Sequence, residues 1–226
     1  MKRIVLILLT ALAFSCAERE LQLPVTTAND ITEILDVSPI YIFYDEATDS
    51  VDFNRKNMIS TTNWLVNIDK RLTLKQILPH LQYLQEKRRG DGMHKNENAK
   101  NYFTCFNEDA KSLSFIEFTN IEYNESSPID YVSKISDANI PKTIIAIEVK
   151  STNDITIVNP SSENTTSKSN ISSLLSDIKQ LNNEDYLIYL NFGLSLNFQD
   201  YIAIKSKLLE IDFDSIHISE KEFIHN

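Results

Sequence analysis

The chain has 226 residues, enough to bury one good core or two small ones. It carries 22 Lys and Arg against 32 Asp and Glu, a formal net charge of -10, and shows no basic stripe, which excludes a nucleic-acid binder. Its three glycines follow neither G-x-x-x-x-G-K nor G-x-G-x-x-G spacing, which excludes the glycine-rich phosphate loops.

Met1-Lys2-Arg3 is basic, and Ile4 to Phe14 is an almost unbroken apolar run. That is the layout of a secretory signal peptide spanning residues 1–15. Its core is about half the roughly twenty residues that a membrane-spanning helix needs. Ala13-Phe14-Ser15-Cys16 resembles a bacterial lipoprotein signal in its Bacteroidota form, where the cysteine is acylated and becomes the first mature residue. The resemblance implies that Cys16 is the lipidation site. Two or more acyl chains hold a protein firmly to a membrane. Ala17-Glu18-Arg19-Glu20 resembles the acidic segment of surface lipoproteins, so the expected location is the cell envelope, at the outer membrane.

Residues 16–38 read as a lipidated tether. Asp30-Ile31-Thr32-Glu33 could open one helical turn within it, since Asp with Glu three residues on resembles a capping pair. Ile40 to Tyr44 is β-branched and aromatic, a strand covered on both faces, and Val51-Asp52-Phe53 is its hairpin return. Trp64 to Ile68 is the next strand. A helix follows, with Leu74, Ile77, Leu78, Leu81 and Leu84 on one face and Thr73 as its cap. Pro79 interrupts it, Lys87-Arg88-Arg89 suits the negative end of its dipole, and Gly90 ends it. Asp91 to Asn101 is a polar loop, and residues 113–118 and 121–123 are further strands. Glu125 to Ala138 marks a boundary.

Beyond it, residues 143–150 and 155–158 form a hairpin, and 159–170 is a Ser/Thr/Asn-rich loop. Asn170 caps a helix faced by Ile171, Leu174, Leu175, Ile178 and Leu181. Tyr186 to Leu190 is a strand, Asn197 caps a helix faced by Phe198, Tyr201, Ile202 and Leu208, and residues 215–218 are a last short strand.

The two halves echo one another. Trp64 to Leu74 aligns with Tyr186 to Leu196 at an offset of 122 (186 minus 64), and the following helix faces align at 124 (198 minus 74). The class expected is α+β. The second half, 139–226, has the order β-β-α-β-α-β and resembles the periplasmic domain of the ExbD/TolR biopolymer-transport family. The first, 39–124, reads as a reduced β-β-β-α-β copy lacking the helix equivalent to 171–181. Family members pair through these domains, so the resemblance implies a pseudo-dimer within one chain. The family's transmembrane helix with its proton-coupling acid has no counterpart, so the motor function is absent from the expectation.

No cofactor or metal is expected. His80, His94, His217 and His225 are not paired at helical spacing and lie in no Cys/His cluster. Cys105, beside Glu108 and Asp109, reads as a small buried hydrophobe rather than a thiolate nucleophile. Asp69 and Asn191 hold the matching turn of the repeat, as a shared ligand contact or, more simply, as Asx turns. The function expected is a non-catalytic, lipid-anchored envelope protein that holds a peptide or protein partner by strand addition at an open sheet edge, with a link to biopolymer transport. The alternatives are an envelope hydrolase using carboxylates that no sequence motif pairs, and a structural lipoprotein that contacts glycan or peptidoglycan.

Overall fold

The computed structural model describes residues 20–90, 96–134, 143–159, 165–181, 186–211 and 216–225. The expected signal peptide at 1–15, Cys16 and His94 lie outside them. The fold is α+β, with two mixed sheets.

In the first sheet β2 (Val37–Asp45) and β3 (Ser50–Asn54) form an antiparallel hairpin, and β4 (Asn63–Ile68) runs parallel to β2. Helix α1 (Leu74–Arg89) leads on to β5 (Asn101–Asn107), parallel to β4. β1 (Val25–Thr26) adds parallel to β5, and β6 (Ser112–Glu117) adds antiparallel to it. In the second sheet β8 (Thr143–Ser151) and β9 (Asp154–Val158) form the hairpin, and β10 (Thr166–Ser169) adds antiparallel to β9. The short helix α3 (Leu174–Lys179) precedes β11 (Tyr186–Phe192), which lies parallel to β8. Helix α4 (Phe198–Leu209) then leads to β12 (Ile216–Ile224), parallel to β11. The strand orders β3-β2-β4-β5 and β9-β8-β11-β12 are therefore the same. Trp64 and Tyr186 are both buried near the start of the central parallel strand of their sheet.

The alternation of side chains explains the layers. Ile40 and Ile42, Trp64, Val66 and Ile68, and Phe103 and Cys105 lie on one face of their strands and are buried. Ile145, Ile147 and Val149, with Ile188, Leu190 and Phe192, do the same in the second sheet. One continuous core runs from Ile40 to Ile224. Helix α4 touches both sheets: Phe198 and Tyr201 meet Phe103 of β5, and Tyr201 also meets Phe192 of β11. On the other face of the second sheet, helix α2 (Pro128–Lys134) places Tyr131 edge-on against Tyr189 and Phe223.

The two helices start at a common joint. Thr73 and Asn197 are the N-caps, each accepting a bond from the amide three residues on, and they pair with each other as an antiparallel bridge. Leu74 N donates to Leu196 O (2.8 Å) and Phe198 N to Leu72 O (2.7 Å). Lys75 N donates to Leu194 O (2.9 Å) and Gln199 N to Lys70 O (3.1 Å). Exchanging each residue for its counterpart at offset 124 (198 minus 74) turns one bond of each pair into the other. These amides belong to first helical turns, where N–H groups otherwise lack a partner. Here each helix start satisfies the other's, which makes the joint an approximate two-fold.

Several expectations are corrected. Residues 101–107, expected to form no element, are a central strand, and Asn101 belongs to it rather than to the polar loop. Glu122–Asn124, expected within the first module's span of 39–124, is β7 and pairs parallel with β12 of the second sheet. Its place is held by α1, whose Gln85 side chain donates to Ile121 O. Residues 30–33 form no helical turn, because the segment lies along β6 and Ile31 O accepts the Phe115 amide (3.0 Å). Within the expected boundary and loop lie α2 and β10. The last strand runs past a bulge to Ile224, beyond the expected 218.

Candidate functional site

Asp69 is fully buried directly after β4. Its Oδ1 accepts the Arg71 amide (3.1 Å), which is an Asx turn. The Arg71 guanidinium grips both carboxylate oxygens at 2.9 Å, and the Gln22 amide adds a further bond at 3.3 Å. Burial pushes the carboxyl pKa up, but the bonds from Arg71 and Gln22 outweigh it and hold it below the ordinary value. Arg71 also reaches Glu46 (3.3 Å) and lies 5.1 Å from the Tyr44 ring centre. Every acceptor of Asp69 therefore serves the turn and the segment that leads into β1.

Asn191 does not repeat this. Two extra residues lengthen the second turn, so β11 continues through Asn191 to Phe192 and the chain turns at Gly193. No Asx turn forms there, so the two matching positions differ in their local geometry. Asn191 Oδ1 is buried and has no hydrogen-bond partner among the described residues.

Asn191 instead lines a crevice of about 410 Å³ at the carboxyl ends of the parallel strands of the second sheet. Glu148 stands opposite it in the β8–β11 register. Lys150, Ser195, Ser127 and His225 complete the polar lining, and the His225 amide is held by Phe192 O (3.0 Å). Ligands of open α/β sheets bind in crevices at this end of the strands. A carboxylate, an imidazole, an ammonium and an amide around one cavity could bind a polar ligand or move a proton. Sequence reasoning named Asn191 and His225 separately but did not join them to Glu148, because Glu148 and Asn191 lie on two strands and His225 follows a third, with no local motif. In the first sheet the Asp69–Arg71–Glu46 cluster occupies the corresponding turn.

The other ionisable groups inside the protein are consumed by the fold. Arg88, expected to serve the helix dipole, is buried. Its guanidinium lies 3.7 Å from the Trp64 ring centre and donates to Asn101 Oδ1 (2.8 Å), Ser60 O (2.9 Å) and Thr62 O (3.0 Å). Burial pushes its pKa down to about 10, so it keeps its charge at neutral pH. Glu222 is wholly buried, accepts the Tyr201 hydroxyl (2.7 Å) and pairs with Lys205. Cys105 is buried, and burial alone pushes its thiol up to about 12, far from a reactive thiolate. His80 packs against Phe53 (ring centres 4.6 Å apart), and burial followed by the Arg55 charge lowers its pKa. No cluster of three or more potential metal ligands occurs among the described residues.

Glu148, Lys150, Asn191 and His225 in the crevice are candidates to touch a ligand, as is the chain at the sheet edges. Comparison of the chain with protein-family models, curated proteins and solved structures gives no match.

Proposed function

We propose that this chain is a non-catalytic, lipid-anchored protein of the bacterial cell envelope whose two fused units hold a peptide segment of an envelope partner. The signal-like N-terminus and Cys16 support the anchor. The order β8-β9, α3, β11, α4, β12 supports the likeness of the second unit to the ExbD/TolR periplasmic domain, and the approximate two-fold at Thr73 and Asn197 supports a dimer-like pairing of units within the chain. The observation that carries the interaction reading is the contrast between interior and edge. Asp69, Arg88 and Glu222 are each tied up by several internal bonds, whereas β3 and β10 are hydrogen-bonded on one side only among the described residues. Edge backbone is a ready template for a further strand.

The test is crosslinking in intact cells followed by capture of the full chain. A reproducible envelope partner is expected, and the Cys16→Ala variant should lose membrane retention and the partner together. Unchanged retention in Cys16→Ala would remove the anchor from the reading. Absence of any reproducible partner would remove the interaction.

A second reading has its own observation. Glu148, Lys150 and His225 line one crevice, and titratable groups around a shared cavity support a hydrolytic site. Turnover of an envelope-derived ester or glycoside that Glu148→Gln abolishes would favour it over the first.

A further inference from the structure

Resting on the interaction reading, we infer that the outer edge of β3 takes up an extended acidic peptide segment as an added antiparallel strand, in the place that β10 takes in the second sheet. The internal comparison is residue by residue. Tyr41 opposite Asn54 in the first hairpin corresponds to Ala146 opposite Val158 in the second, and Tyr44 opposite Val51 to Val149 opposite Ile155. In the second sheet the far side of β9 is filled: Ser167 stands opposite Ile157 and Ser169 opposite Ile155. In the first sheet the chain passes from β3 to β4 through residues 55–62 alone, so no strand is supplied for β3.

The backbone on that edge points the right way. The Asp69 amide donates to Ile42 O, so Ile42 faces β4, and its neighbours Tyr41 and Phe43 face β3. Their partners Asn54 and Asp52 therefore face β2, which leaves the N–H and C=O groups of Val51 and Phe53 directed outward. The same reasoning from Gly193 N donating to Val149 O directs Ile155 and Ile157 toward β10, the two residues that correspond to Val51 and Phe53. The remaining edges are blunted. Phe115 of β6 already bonds Ile31, and the Glu122 carbonyl of β7 accepts the Asn124 side chain (3.1 Å). Lys168 places a charge on β10.

Charge selects the occupant. Val51 and Phe53 turn their side chains toward α1, so alternate side chains of an added strand reach the same side. There the exposed Arg55 lies 4.2 Å from the Tyr83 ring centre and 5.7 Å from that of Phe53, and the exposed Lys87 lies 5.6 Å from that of Tyr83. Neither cation makes an ion pair among the described residues, in a chain whose net charge is -10. Carboxylates on one face of the incoming strand would pair with both.

The probe is a short synthetic peptide alternating threonine with glutamate, titrated against the full chain in detergent, with a threonine–lysine peptide as control. The expected result is binding of the glutamate peptide alone, with slowed amide exchange at Val51 and Phe53. Arg55→Glu, a surface change, should weaken binding by about tenfold or more. Val51→Pro removes an outward N–H without touching the β2 ladder and should abolish binding. No binding, equal binding of the lysine peptide, or protection of β10 amides instead would overturn the inference. So would peptide-free protection of Val51 and Phe53 that rises with protein concentration, since two copies would then be pairing through β3. If Val51→Pro still captures the envelope partner in crosslinked cells, the interaction reading stands and only the β3 site falls.

Discussion

Glu222→Leu is expected to destabilise the protein by about 3–5 kcal/mol, read as a lowered urea midpoint at unchanged slope. Glu222 has no exposed surface. From β12 it anchors a chain of groups on two other elements: Tyr123 of β7, and Tyr201 and Lys205 of α4. Burial, and after it the Glu222 charge, pushes both phenols well above their ordinary pKa, so they keep their protons. Tyr201 donates to the carboxylate at 2.7 Å and lies 3.4 Å from the Tyr123 hydroxyl. Removing the carboxylate strands the Lys205 ammonium, whose side chain is only 11% exposed, and leaves the Tyr201 hydroxyl without its acceptor. The cost is that of an uncompensated buried charge, and it exceeds the worth of the pair itself. The double variant Glu222→Leu, Lys205→Met should therefore recover most of the loss. A single variant costing less than about 1 kcal/mol would show that water reaches this network.

Phe103→Ala is expected to cost a similar amount, about 3–5 kcal/mol. The ring stacks on Phe118 with centres 3.9 Å apart and planes 5° apart, and it meets Phe198 and Tyr201 edge-on at 5.2 Å and 6.0 Å. The three contacting rings come from both halves of the chain, so the cavity opens between the sheets. Because the core is continuous, the variant should still unfold in one transition, with Trp64 fluorescence and far-ultraviolet circular dichroism coinciding. Separation of the two probes would mean that each sheet holds its own fold.

Periodicity carried much of the sequence reading, although Ile40 to Tyr44, expected to be covered on both faces, fully buries only the face of Ile40 and Ile42. The leucine face of α1, the caps Thr73 and Asn197, and the apolar strands at 40–44, 64–68, 143–150 and 186–190 are all visible in local pattern. β5 escaped because Asn101–Asn107 is buried on both faces, so its run of aromatic and small residues shows no alternation. β10 escaped for the opposite reason. Thr166, Ser167 and Lys168 are exposed and polar, and they form a strand only because β9 lies beside them. Arg88 and Glu222 look like members of surface charge runs, in Lys87-Arg88-Arg89 and Glu220-Lys221-Glu222. Only the tertiary setting shows which member turns inward. The turn positions Asp69 and Asn191 aligned by count, yet the two-residue difference in turn length put one in an Asx turn and kept the other in a strand.

Amide hydrogen exchange at four residues probes the joint between the two sheets most directly. Leu74, Lys75, Phe198 and Gln199 occupy first helical turns, whose amides usually exchange freely. If the two helix starts bond each other across the approximate two-fold, all four should be protected to the level of the core strands and should lose protection together as denaturant is added. Fast exchange at these amides, or loss of protection in the Leu74–Lys75 pair at a different denaturant concentration from the Phe198–Gln199 pair, would contradict it.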